Sequence, residues 1–231
     1  MYSISMPRNS ASEAERTKDR ILDAAVARAS RFGLESVSIG ELAGDLDMSR
    51  SGVIGPFRSR DDLLDAALDS AVSLFRASVI EPALDTPPGP PRVTAIVDRW
   101  IGYLVSCPFP GGCFVTMASV ELDGRPGPRH DRLARIVAGW HEWLTQEVHA
   151  IDPAQPPASA RQVATMLIGI SMAANQEIQL LRDPEAGARA KAAMFRALDS
   201  YLAPTATPGG RFTDQPQRIV RLLRLARGEP Q

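Results

Sequence analysis

The sequence predicts an all-α protein, on three observations. Apolar residues recur at spacings of three and four along most of the chain, no stretch alternates as a strand would, and capping residues precede the helical runs. The first run opens on Ser12-Glu13-Ala14-Glu15, a capping box, and carries Leu22, Ala25, Ala29 and Phe32 on one face over about five turns. Gly33 closes it as a C-cap. Ser38-Ile39-Gly40-Glu41 is a second capping box, so a helix opens at Ile39 and turns Leu42, Ala43 and Leu46 inward. A link through Asp47 and Met48 leads to Ser49, another N-cap, and a third helix starts at Arg50. Ser59-Arg60-Asp61-Asp62 then caps a long helix bearing Leu63, Leu64, Ala67, Leu68, Ala71, Val72 and Phe75, which Pro82 is expected to stop.

The second and third of these helices are joined so tightly that they must cross steeply, as in a helix-turn-helix. Ser49-Arg50-Ser51-Gly52 leaves the first turn of the third helix free of large apolar groups, and only Val53 and Phe57 look inward. A buried helix needs a continuous apolar stripe, whereas a projecting helix with free N–H groups suits a nucleic-acid backbone and groove. Arg50, Ser51, Gly52 and Ile54 are therefore candidates for base contact, and Ser38, Ser49, Arg58 and Arg60 for phosphate. With a net charge of −1, any attraction to DNA must come from local placement of Arg50, Arg58 and Arg60, with Arg8, Arg16 and Lys18 as further candidates.

The succession Arg20-Ile21-Leu22-Asp23-Ala24-Ala25, Phe32-Gly33, Ser38-Ile39, Leu42-Ala43, Met48-Ser49-Arg50-Ser51-Gly52, Phe57-Arg58-Ser59-Arg60 and Leu63-Leu64 resembles the DNA-binding domain of the tetracycline-repressor (TetR) family. The segments Phe109-Pro110-Gly111-Gly112-Cys113-Phe114 and Arg125-Pro126-Gly127-Pro128 resemble one subgroup of its effector domains more loosely. The resemblance implies an N-terminal three-helix DNA-binding domain with a helix-turn-helix, a C-terminal helical domain for effector binding and dimerisation, and release from an operator by a small molecule. It departs at Gly55-Pro56, where family members commonly carry tyrosine and histidine. Proline lacks an N–H and restrains its predecessor, so the recognition helix is expected to end near Ile54.

Three parts are expected: a DNA-binding domain over 12–62, a ligand-binding and dimerisation domain over 63–203, and a flexible break with a basic amphipathic tail over 204–231. Thr86-Pro87-Pro88-Gly89-Pro90-Pro91 is a stiff linker. Helices follow at about Val93 to Ser106, Cys113 to Leu122, His130 to His149, Ala158 to Leu181 and Pro184 to Leu202. In the resembled family the last two form a dimeric four-helix bundle, which assigns Val163, Leu167, Ile170, Met194, Leu198 and Tyr201 to the interface. A cavity between the helices is expected to draw on Trp100, Tyr103, Phe114, Met117, Trp140 and Met172, with Glu121, His141, Asn175 and Gln176 to orient a ligand.

Enzymatic signatures are missing: no glycine-rich phosphate loop, no G-x-S-x-G elbow, and Thr145 stands where the second histidine of a zinc-protease helix would be. His141 and His149 would lie roughly 12 Å apart along a helix, too far to share a metal. No catalytic residue, metal or cofactor is expected. Of the 231 residues 44% are hydrophobic, enough for a real core; no apolar run can span a bilayer and Met1 to Lys18 lacks a signal-peptide core, so a cytoplasmic protein is expected. Cys107 and Cys113 flank a proline-glycine turn and read either as small core fillers or as a thiol sensor, Cys113 being the better placed for it. The expected partners are a near-palindromic DNA operator, an apolar small effector and a second copy of the chain. The alternative is a helical small-molecule or thiol-redox sensor that has lost DNA binding.

Overall fold

A computed structural model describes residues 8–202, and all regular structure in that span is helical. Helix α1 is Arg8–Phe32, followed by a 3-10 turn, Leu34–Ser36; α2 is Ile39–Leu46, α3 is Arg50–Ile54 and α4 is Arg60–Phe75. A π turn at Arg76–Ile80 carries the same rod into α5, Glu81–Leu84. Then come α6 (Pro90–Ser106), α7 (Phe114–Leu122), α8 (Pro128–His149), α9 (Pro157–Gln176) with a π turn Glu177–Leu181, and α10 (Ala186–Leu202). The tail beyond Pro204 lies outside the described residues.

The caps fall largely where the sequence puts them. The hydroxyls of Ser38, Ser49 and Ser59 each accept the backbone N–H three residues on, from Glu41, Gly52 and Asp62. Glu41 reaches back as a capping-box residue does, but its carboxylate takes the Ser38 hydroxyl and the Arg28 guanidinium rather than a backbone N–H. Ser12 is an interior position of α1, which starts at Arg8, so the helix opens before the box at 12–15. Phe32 is also not a core residue: it is 62% exposed and packs beneath the Arg28 guanidinium, because Gly33 turns the chain away one residue later.

Pro82 does not stop the fourth helix. It stands in the first turn of α5, where a missing N–H costs nothing, and the widened turn before it relieves the clash of its ring with the preceding carbonyls. The rod that begins next to α3 therefore runs on into the second half of the molecule. Its buried row Leu63, Leu64, Ala67, Leu68 and Ala71 packs with Ile21, Ala25 and Ala29 of α1.

In the C-terminal half, α6 lies beside α10, and α9 packs along both α8 and α10. Leu144, Val148, Leu167 and Met194 are fully buried among these helices. The loop from Cys107 to Cys113 wedges between the halves: Gly111 donates its N–H to the Ser30 hydroxyl at 3.1 Å, and Gly112 turns at φ +86° under Asn175 and Gln179. A Cβ on Gly111 would overlap the Ser30 carbonyl, which is backbone and cannot step aside. Gly111→Ala should therefore lower stability by about 1–3 kcal/mol in chemical denaturation. Gly139→Ala, where the added carbon meets nothing on α8, should raise it by about 0.5–1 kcal/mol.

Candidate functional site

Two surfaces carry candidate chemistry, one at each end of α4. At its N-terminal end α3 projects as a helix of five residues. It ends at Ile54; Gly55 keeps helical dihedrals and donates its N–H to the Ser51 carbonyl at 2.9 Å, Pro56 has no N–H to continue the ladder, and Phe57 closes the turn through a 2.8 Å bond from its N–H to the Ile54 carbonyl. Val53 is the one fully buried member of α3; Ser49, Arg50 and Ser51 are exposed and Gly52 and Ile54 are half-buried. The Arg50 guanidinium lies over Gly40 of α2, 3.2 Å from where a Cβ would stand, so the absence of a side chain there lets the arginine lie flat on the pair of helices. Lys18 of α1 rests over the Phe57 ring at 5.9 Å, bringing a third cation to this edge beside Arg50 and Arg58.

The other candidate phosphate contacts divide. The Arg58 side chain is 93% exposed, with only a loose 3.7 Å pairing to Asp62. Arg60 turns inward instead. Its Nε donates to the Val37 carbonyl at 2.8 Å and Nη2 to the Glu35 carbonyl at 2.6 Å, and Nη1 lies 3.5 Å from the Glu35 carboxylate. Arg60 thus stitches the chain between α1 and α2, and Ser38 is spent on its cap. The Ser38 hydroxyl hydrogen goes to Glu41, and Arg60 commits three of its five N–H groups to the protein.

At the other end of the rod, α4, α6, α7, α8 and α9 enclose a cavity of about 250 Å³. Trp100, Trp140, His141 and Met172 line it, as do Val72 and Phe75 of α4 and Cys113, Thr116 and Ser119 at the start of α7. Phe75, Trp100 and Trp140 stand mutually perpendicular at centroid separations of 6.4, 5.1 and 5.0 Å. Burial, and then the positive charge of Arg161, hold the His141 imidazole below its ordinary pKa, which leaves it neutral at pH 7.

The remaining ligand candidates go elsewhere. Tyr103 packs behind Phe75 at 5.2 Å, its hydroxyl driven far above its usual pKa by burial and then by the neighbouring Cys113 sulfur. Phe114 is buried against Phe109, Met117 points outward and Gln176 is exposed. Asn175 is buried and accepts the Cys113 N–H at 2.9 Å, fixing the start of α7. Cys107 and Cys113 are both free and half-buried; Cys107 donates to the Leu104 carbonyl and accepts from Gln179 at 3.0 Å. Val72, Phe75, Thr116 and Ser119 complete the lining; their periodicity marks them as helix residues and gives no sign of a cavity.

Glu121 has a different place. Its carboxylate accepts the N–H of Leu34 at 2.5 Å and of Glu35 at 2.9 Å, in a cradle that Gly33 leaves open at φ +91°. Beside it Arg129, at the start of α8, pairs with Glu35, with Asp61 at 2.9 Å and with Asp65 at 3.2 Å, while Arg132 takes Asp69. Burial disfavours the Arg129 cation, yet Asp61, Glu35 and Asp65 more than offset this and raise its pKa. The cavity wall α7 and its neighbour α8 are thus bonded directly to the turn that precedes α2.

Residues 89–194 match the model of the tetracyclin repressor-like C-terminal domain. That segment is similar to the C-terminal domain of tetracyclin repressor-like proteins. The TetR fold extends over the N-terminal half as well. A TetR transcriptional regulator from Chloroflexus aurantiacus superposes with a TM-score of 0.70 at 18% identity, over 83% of this chain and 96% of its own. A TetR-family regulator from Streptomyces coelicolor gives 0.71 at 20% identity, over 82% of this chain and 97% of its own. AibR, solved with isovaleryl coenzyme A and operator DNA, gives 0.61 at 16% identity, over 77% and 95%. At such identities it is the fold that these proteins share with this chain. No curated protein matches its sequence.

The interface candidates on the last two helices are buried within the chain itself. Val163, Leu167, Met194, Leu198 and Tyr201 are at most 7% exposed, because α9 and α10 use those stripes against each other and against α6 and α8. Ile170 is half-buried. A second stripe on each helix is more open instead: Met166, Gly169, Ala173 and Gln176 on α9, and Ala188, Ala192 and Leu202 on α10, with Phe195 half-buried between them. Of the arginines, Arg60→Ala should cost about 1.5–3 kcal/mol in thermal denaturation, as expected for hydrogen bonds from a charged donor, and Arg58→Ala should leave the melting temperature unchanged.

Proposed function

We propose that the chain is a ligand-responsive DNA-binding transcriptional regulator, a repressor that acts as a homodimer and releases its operator when a small molecule enters the cavity. The observation that carries this reading is a single rod, α4, with a projecting five-residue helix at one end and an apolar cavity at the other. The fold neighbour AibR, solved with both an acyl-coenzyme A and operator DNA, supports pairing the two activities in one chain. In this reading Arg50, Ser51 and Gly52 enter a major groove, with Lys18 and Arg58 on the flanking phosphates.

Release follows from what α7 holds. One side of this helix presents Thr116 and Ser119 to the cavity, and further along Glu121 grips the N–H groups of Leu34 and Glu35. A ligand that displaces α7 drags or drops the turn between α1 and α2, while Val72 and Phe75 pass the same event to α4. The two recognition helices of a dimer then cease to match successive grooves. The open stripes through Met166 and Phe195 suit a second copy of the chain: they are apolar, run along adjacent helices and carry small residues that let backbones approach.

Selection from random duplex DNA with the purified protein should return a near-palindromic site, and recovery of no preference at any salt concentration would overturn the reading. Arg50→Ala should weaken that site by about 1–3 kcal/mol and relax it at one position. Met166→Glu should halve the mass measured by light scattering and abolish binding to the full site while leaving the helical content intact. Glu121→Ala should separate the two activities, with ligand still bound and operator no longer released.

A further inference from the structure

The cavity also constrains the chemistry of what it holds, given the regulatory reading above. Fifteen residues line it, and there is no aspartate, glutamate, lysine or arginine among them. An anion or a cation entering would surrender its water to a wall with no carboxylate, ammonium or guanidinium of its own, the nearby Arg161 being paired with Glu142, a penalty that ring quadrupoles alone do not repay. Three perpendicular rings, Phe75, Trp100 and Trp140, offer both faces and edges, which complement a flat aromatic guest. The volume of about 250 Å³ lies just under the range usual for drug-sized ligands and admits one or two fused rings.

The polar atoms of the wall are not equivalent. Ser119 and Ser171 each donate their hydroxyl hydrogen to a carbonyl of their own helix, Val115 and Ile168. The His141 ring makes no hydrogen bond among the described residues, although it is half-buried and lines the cavity. An imidazole with no protein partner in such a place is free to hydrogen-bond a guest's hydroxyl or carbonyl.

We infer that the cavity takes an uncharged aromatic molecule of one or two rings carrying a single hydroxyl or carbonyl, and that His141 is the residue that selects this head group. The fold neighbours solved with choline and with isovaleryl coenzyme A hold charged ligands, so the proposal separates this chain from them.

The three tryptophans of the chain are Trp100 and Trp140 in the wall and Trp143 stacked on Trp140 at 5.4 Å, so intrinsic fluorescence reports on occupancy. Full-length protein is titrated with naphthalene, 2-naphthol, 2-naphthoate and 2-naphthylmethylammonium at pH 7.5. The expected result is that 2-naphthol binds about five- to tenfold more tightly than naphthalene, as one net hydrogen bond allows, and that both charged probes bind at least tenfold more weakly than 2-naphthol. His141→Phe should bind naphthalene as before and lose the preference for 2-naphthol, and His141→Gln should keep most of it. Tighter binding of either charged probe, absence of quenching by all four, or an undiminished preference in His141→Phe would overturn the inference. Operator release is measured in parallel: probes that bind in the expected order without releasing DNA uphold the assignment of the cavity and refute its regulatory role.

Discussion

The helix that begins at Arg60 has to satisfy two cores at once, and the rest of the molecule is arranged around that demand. Its first turns need a face for Leu63, Leu64, Ala67 and Leu68 against α1; its last turn needs Val72 and Phe75 on the cavity side. The π turn at Arg76–Ile80 follows directly, re-phasing the rod before Pro82 so that Val79 and Ala83 are buried against the C-terminal half. Arg129 and Arg132 complete the arrangement by running a charged seam along the Asp61, Asp65 and Asp69 edge of the same helix. Each carboxylate sits one turn from the next, so the seam tolerates small slides of α8 while resisting separation.

The N-terminal half was legible in the sequence because its signals are local. A serine with a free N–H three residues on is a cap wherever it occurs, and the caps at Ser38, Ser49 and Ser59 needed no tertiary information. The end of α3 at Ile54 was equally local, dictated by Pro56. What the sequence could not show was which polar residues would be consumed internally. Arg60 reads as a phosphate ligand by its position, yet three carbonyl and carboxylate groups of the preceding chain claim its guanidinium.

The C-terminal half was legible in its helices and less so in its faces. Both α9 and α10 are apolar on two sides, and periodicity alone does not say which stripe meets its own chain. The rows through Leu167 and Met194 went inward, and the rows through Met166 and Ala192 stayed outside. The cavity lining was half legible for a related reason. Trp100 and Trp140 announce themselves as large aromatics, but Thr116 and Ser119 are ordinary helix residues until the loop of Gly111 and Gly112 has swung α7 across α4. Glu121 reads as a ligand-orienting group from its neighbours in sequence and serves instead as a brace between the halves.

That brace bears on the order in which the protein is made. The two N–H groups it holds, on Leu34 and Glu35, wait for an acceptor 87 and 86 residues further along the chain. During synthesis α4 and Arg60 follow soon after the first three helices and supply the face that α1 packs on, but the N–H groups of Leu34 and Glu35 have only water to bond until α7 has left the ribosome and docked. The N-terminal half therefore acquires its final rigidity last, from a segment that folds against it rather than from its own sequence.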